Sequence, residues 1–356
     1  RDAQESRGLG DVYKRQARYK AFSDTLDRST STQAWFLLRA RSPLLLSLRV
    51  LCRLPSRSSP TGRSSSIVCY HYLADREAHN DYKHDRPVYD AFDHGVYSYE
   101  SDVWYDGHTK DFYVAHTALG INHDKTFKTV TLDKVMKILE GKYSDDYPSS
   151  NPQKFLDDPD NKPTSHPDWY KYYSEGFGGV RPLQLLLEIK SDDAELSVLK
   201  LAKQLEPLRE RGWLTKYKDG KIHYGPVIVV GTGGTPFDQI ATSSNRDLFL
   251  DCPANGIDGT HYIWGHTYTY NSTLCPLASS GYSDVKHANH GILPPRKSAI
   301  TQFHKVIETS HHHGATTRFY GILDLPSRIE DFNMLIQQGS DWLNIDDLND
   351  AKRYSH

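Results

Sequence analysis

The nine residues PLQLLLEIK (Pro182–Lys190) carry the decision about the fold. Leu183, Leu185, Leu186 and Leu187 make an almost unbroken apolar run, without the alternation of a half-wet strand, so both faces of this strand are expected to be buried. The run ends on charge, at Glu188 and Lys190. Directly after it, AELSVLKLAKQLEPLRERG (Ala194–Gly212) repeats Leu at helical spacing and stops at glycine. GPVIVVGTG (Gly225–Gly233) and RDLFLDCP (Arg246–Pro253) are further strands of the buried type. Buried strands separated by helices pack as parallel β/α units.

The alternation extends both ways. Upstream, RPVYDAFDHG (Arg86–Gly95) reads as a short helix with Pro87 in its first turn and Gly95 at its end. VYSYESDVW (Val96–Trp104) and KDFYVAHT (Lys110–Thr117) read as strands joined through an Asp106-Gly107 turn. TLDKVMKILEGK (Thr131–Lys142) reads as a helix capped by Thr131 and stopped at Gly141. About forty residues without periodicity follow, a length that marks a functional or disordered loop. Downstream, Ala299–His313 and Ile329–Gln338 read as helices, and TRFYGILDLP (Thr317–Pro326) and SDWLNIDDL (Ser340–Leu348) as strands. Seven or eight such units, with no GxGxxG after the first strand, favour an α/β fold of the (β/α)8 TIM-barrel type over residues 67–356. HYLADREA (His71–Ala78) lacks a strand signature, so the barrel is expected to close weakly at its start.

Residues 1–66 have another character. They hold 13 Lys+Arg against 5 Asp+Glu, whereas residues 67–356 hold 30 against 40. The first Met is Met136, and ESRGLGDVYKRQ (Glu5–Gln16) resembles translated adapter read-through. We expect residues 1–66 to be a non-native or disordered tail, with PLLLSLRVLC (Pro43–Cys52) as a signal-peptide core in the alternative. The overall charge of -2 excludes a globally basic nucleic-acid binder, and no run of about 18 apolar residues suggests a transmembrane helix. Four cysteines (Cys52, Cys69, Cys252, Cys275) do not make a disulfide framework and leave the compartment open between secretory pathway and mitochondrion. The single sequon, Asn271-Ser272-Thr273, leans weakly toward secretion. Oligomeric state is not encoded legibly.

The polar residues gather at strand ends, which in a β/α barrel converge on one mouth. His79 and Asn80 precede the first helix; His116 ends the hairpin strand; Asp251 ends another strand; Asn344, Asp346 and Asp347 end the last. Glu100 and Asp102, two apart, share one face of their strand, and Glu188 and Lys190 repeat the spacing. Three carboxylates around one point repel unless a cation lies between them, and an oxygen-only set suits Mg²⁺, with Ca²⁺ as the alternative. His79 and His116 then divide the general-base and general-acid roles between them, the sequence not assigning which takes which, and Lys190 is a fixed charge for an anionic transition state. Together these suit cleavage of a phosphodiester. Each piece has a blander reading. An E-x-D pair on a strand is more often a solvated face, although the aromatic surroundings here argue against it. SHHH (Ser310–His313) reads as a solvated helix end without a carboxylate partner. VVGTGGTPF (Val229–Phe237) reads as a strand-to-helix turn, with a phosphate cradle as the sharper alternative.

HNDY, RPVYDAFDHG, ESDVW, VAHT, LLLEIK, VVGTGGTPF, RDLFLDCP and the terminal NIDDL, in this order from Ala78 to Ala351, resemble the fungal altered inheritance of mitochondria protein 6 family. That family stands with the phospholipase-C-like phosphodiesterases, beside glycerophosphodiester phosphodiesterases and sphingomyelinase D. The resemblance implies a barrel, a bound Mg²⁺, His79 and His116 as the catalytic pair, Glu100, Asp102 and Glu188 as metal ligands, and Lys190 near the phosphate. Asn80, Asp251, Tyr320 and Asn344 are the expected substrate contacts, with Phe319-Tyr320 standing where a Tyr-Trp pair is expected. The function expected is metal-dependent hydrolysis of a glycerophosphodiester or phospholipid-like substrate. The rivals are a catalytically silent barrel that binds phosphoesters or acts as a scaffold, and a retaining glycosidase using Glu100 and Glu188.

Overall fold

A computed structural model of the chain describes residues 75–140, 142, 182–263, 265–285, 295–351 and 353–354. The expected tail and the long segment after Lys142 lie outside them. Eight parallel strands form the barrel: β1 (Asp75–Ala78), β2 (Ser98–Asp106), β3 (Leu183–Ile189), β4 (Val227–Thr232), β5 (Leu248–Pro253), β6 (Leu277–Gly281), β7 (Thr316–Tyr320) and β8 (Trp342–Ile345). Each pairs with its neighbour in chain order, and β1 pairs with both β8 and β2, so the sheet is closed.

Eight helices are described between and after these strands: α1 (Tyr89–Asp93), α2 (Asp133–Leu139), α3 (Ala194–Gln204), α4 (Glu206–Glu210), α5 (Phe237–Ala241), α6 (Lys297–His312), α7 (Arg328–Gln338) and α8 (Leu348–Ala351). The larger apolar core lies between the helices and the outward strand residues, such as Leu185, Leu187 and Phe319. A smaller cluster, including Leu186, Val230, Phe249, Leu277 and Trp342, fills the barrel interior. Two residues farther along each strand, the same inward face turns polar: Glu188, Thr232, Asp251, Ser279 and Asn344. The apolar layer is the floor on which the site stands.

Several expectations are corrected. DREA, the end of the segment that carried no strand signature, is β1; four residues suffice because ladders on both sides satisfy its backbone. Thr131 caps no helix. It sits in a π-helical turn, Lys128–Leu132, with its hydroxyl 3.1 Å from that of Ser101. Pro87 precedes α1 rather than opening it, and Val88 takes φ 68°, a strained value for a β-branched residue. The Asp81 carboxylate holds that turn by accepting from Val88 N–H at 2.6 Å. The SHHH run is not merely solvated: His311 contacts Asp341 at 2.6 Å and His313 contacts Asp258 at 2.9 Å. Finally, Cys252 and Cys275 form a disulfide that ties β5 to the approach to β6.

Candidate active site

His79 immediately follows β1, and its N–H donates to Ile345 O of β8 at 3.0 Å. Its ring lies between carboxylates, with Nδ1 2.6 Å from Asp346 Oδ1 and Nε2 3.4 Å from Glu100 Oε2. Burial opposes protonation of this ring, but the Asp346 hydrogen bond and the charges of Glu100 and Glu77 prevail, and its pKa is raised. The same contact holds Asp346 below the usual carboxylate range against the effect of burial. Asn80 Nδ2 stands 3.0 Å from His79 Nε2, and the Tyr82 hydroxyl lies 2.6 Å from Asn80 Oδ1 and 2.9 Å from Asp102 Oδ2.

His116 is set by the hairpin. Strand Asp111–Val114 pairs antiparallel with the end of β2; Ala115 N–H then bonds Asp102 O, and Trp104 Nε1 donates to Ala115 O. His116 Nδ1 lies 3.1 Å from Asp102 Oδ2, and the side chain is 58% exposed. Lys190, just past β3, contacts Glu188 Oε2 at 2.8 Å and Asp102 Oδ2 at 3.6 Å. These carboxylates hold the Lys190 proton against partial burial, while burial pushes the Glu188 carboxyl up.

Glu100, Asp102 and Glu188 each offer an oxygen, and these oxygens lie within 4.8 Å of one another. Oxygens on one hard cation, each about 2.1–2.6 Å from it, lie within about 5 Å of each other. The trio therefore fits Mg²⁺ or Ca²⁺ in spacing and in chemistry. The glycine-rich turn after β4 serves the same cluster: a side chain at Gly233 (φ +57°) would strike Glu188, with its Cβ 2.6 Å from Glu188 Cδ.

The remaining expected contacts are placed variously. Asn80 and Asn344 are buried, Asp251 accepts from Thr232 Oγ1 at 2.8 Å, and Tyr320 is exposed at the mouth. Two inward residues escaped the sequence reading. Arg318 of β7 is 2% exposed, with Nε 2.9 Å from Glu77 Oε2 and Nη2 3.0 Å from Glu100 Oε2. Burial pushes the Glu77 carboxyl up to about 8, against the pull of Arg318. The usable signals were an arginine inside the otherwise strand-like TTRFY and a glutamate two residues before His79. Asp346 showed in the sequence only as one of several polar residues ending β8.

A model of the AIM6-like phosphodiesterase domain matches residues 73–251, just over half of the chain, and spans β1 to β5. The chain belongs to this family. Beyond the match, the barrel continues through β8 and supplies Arg318 and Asp346. An altered inheritance of mitochondria protein 6 homolog from Arthroderma benhamiae is 27% identical over 290 residues, covering 78% of this chain and 82% of the relative. The proteins named altered inheritance of mitochondria protein 6 from Lachancea thermotolerans and Eremothecium gossypii are 26% and 25% identical, each aligned over more than three quarters of this chain. The chain covers 64% of the former's length and 68% of the latter's. No helix among the described residues of this AIM6-like chain is long and apolar enough to cross a membrane.

Proposed function

We propose that this AIM6-like domain is a metal-dependent phosphoric diester hydrolase acting on a glycerophosphodiester or phospholipid-like substrate. The observation that carries the reading is the carboxylate trio with a histidine on either side: His79 at 3.4 Å from Glu100 and His116 at 3.1 Å from Asp102. Glu100, Asp102 and Glu188 hold the cation. When bound, Mg²⁺ or Ca²⁺ polarises the phosphoryl oxygens and offsets their charge.

His116 is the general base. Its Nδ1 faces Asp102, which leaves Nε2 of an exposed ring for the proton of the attacking water or hydroxyl. His79 is the acid: its raised proton affinity keeps a proton for the leaving alcohol. Lys190 supplies a fixed positive charge beside the trio. Asp251 Oδ1 and Asn344 Oδ1 are buried without a hydrogen-bond partner among the described residues, which supports their use toward substrate hydroxyls. Leu119 on the loop after His116, and Tyr320 and Leu323 at the end of β7, are exposed around the mouth. They give an apolar portion of a substrate somewhere to lie.

The test is release of p-nitrophenol from bis-p-nitrophenyl phosphate, and of alcohol from lysophospholipids, with and without Mg²⁺. Wild type is compared with His116→Ala and Glu100→Gln. We expect Mg²⁺-dependent turnover that falls about 10²-fold or more in either variant. Equal rates in all three would leave a silent phosphoester-binding barrel instead. Phosphorus NMR of the first product separates attack by water from attack by a substrate hydroxyl, which gives a cyclic phosphate.

A further inference from the structure

We infer that Arg318 is a positioning residue for Glu100, and that Glu77 in turn fixes Arg318. This rests on the metal reading above. From β7, Arg318 reaches past β8 to the two strands at the closing seam, taking Glu77 of β1 through Nε and Glu100 of β2 through Nη2. All three side chains are buried. A carboxylate held through Oε2 keeps Oε1 free for another partner, so Arg318 fixes Glu100 without consuming it. It also screens Glu100 from the other carboxylates that crowd the interior: Glu77 beneath it, and Asp102 and Glu188 beside it.

The chemistry calls for arginine. Two carboxylates on separate strands must be met at once, and only a planar guanidinium presents rigidly spaced donors for both. An ammonium is a single point of charge and reaches one of them well. Apart from its effect on His79, Glu77 has no other visible task. Its Oε2 is spent on Arg318, and its Oε1 meets no hydrogen-bond partner among the described residues. The tie also explains why a four-residue β1 holds its register at the mouth: Glu77 anchors it two residues before His79.

The experiment is Mn²⁺ titration of the full chain, followed by electron paramagnetic resonance, for wild type, Arg318→Lys, Glu77→Gln, Glu100→Gln and the Arg318→Lys/Glu100→Gln pair. Melting temperatures are read in parallel. We expect Arg318→Lys to weaken Mn²⁺ binding about tenfold and Glu77→Gln about threefold, as partners that orient a metal ligand do. In the Glu100→Gln background, Arg318→Lys should bring no further loss. KM for bis-p-nitrophenyl phosphate at saturating Mn²⁺ should stay unchanged in both single variants. Should Arg318→Lys not fold, Glu77→Gln, a neutral group of the same shape, carries the test. Wild-type affinity in the folded variants overturns the inference and leaves the proposed function standing, as does a full additional loss in the double variant. A wild type that binds no Mn²⁺ overturns both.

Discussion

At the residue scale, His79 and Asp81 show how burial and partners set proton affinity within one short segment. His79 is held between Asp346 and Glu100, so its proton is stabilised by a carboxylate on the far side of the seam. Asp346→Asn keeps the shape and removes the charge; we expect kcat to fall about 10²-fold with KM and melting temperature little changed. An unchanged kcat would strip Asp346 of this role. Asp81 is fully buried, and burial pushes its carboxyl up to about 7 despite the Val88 N–H and the nearby Lys134. Below about pH 4 the folded and unfolded chains both carry this proton. Between about pH 4 and 7 only the unfolded chain releases it, so the Asp81 contribution to stability declines as pH rises. Asp81→Asn cannot ionise and still accepts from Val88. Its stability advantage should therefore grow from pH 4 to pH 7, reaching on the order of 4 kcal/mol. Urea unfolding at pH 4, 5.5 and 7 checks this, and a pH-independent difference would refute it.

At the element scale, the strands deliver their chemistry by alternation. Along β1, β2, β3, β7 and β8, within the strand or just past it, polar residues at i and i+2 fall on the face that leads into the mouth: Glu77 and His79, Glu100 and Asp102, Glu188 and Lys190, Arg318 and Tyr320, Asn344 and Asp346. The turn after β4 contributes differently, by leaving room. Gly233 combines a left-handed backbone with close approach to Glu188. Gly233→Ala should therefore cost about 1–2 kcal/mol of stability from the backbone alone. It should also displace Glu188 and weaken Mg²⁺ binding about tenfold. Calorimetric titration with Mg²⁺ is the measurement; wild-type affinity in a folded variant would mean that Glu188 tolerates the methyl group. VVGTGGTPF is the turn from β4 into α5, and its glycines lie against Glu188, the Thr235 side chain and the Ile189 carbonyl.

At the scale of the whole molecule, the barrel gathers five carboxylates and only two fixed cations into one interior. Glu77, Glu100, Asp102, Glu188 and Asp251 face Arg318 and Lys190. Burial relieves part of this imbalance by raising the proton affinity of Glu77, Glu188 and Asp251, and a bound cation would relieve the rest. Mg²⁺ at about a hundredfold over its dissociation constant should stabilise the fold by about 2.7 kcal/mol, a rise of several degrees in melting temperature. EDTA should reverse the shift, and Glu100→Gln should abolish it. A melting temperature indifferent to both Mg²⁺ and EDTA would count against a metal at this place.

Much of this was legible in the chain. Apolar runs flanked by helical repeats identified the parallel units, because burial on both faces leaves no alternation. The i, i+2 pairs in ESD and EIK identified converging carboxylates, because strand geometry is local. The Arg318–Glu77–Glu100 tie was not legible: its members are 241 and 218 residues apart in pairs, and nothing local distinguishes an inward arginine from an outward one. Nor was β1, whose four residues owe their conformation to ladders supplied by β2 and β8. The pairing of His79 with Asp346 arises in the same way, across the closing seam. The sequence by itself determined six of the eight barrel strands, all but β1 and β6, and which of their residues share a face, since period and burial are written along the chain. Only the closed barrel decided which charge meets which, since that depends on strands brought together across its interior.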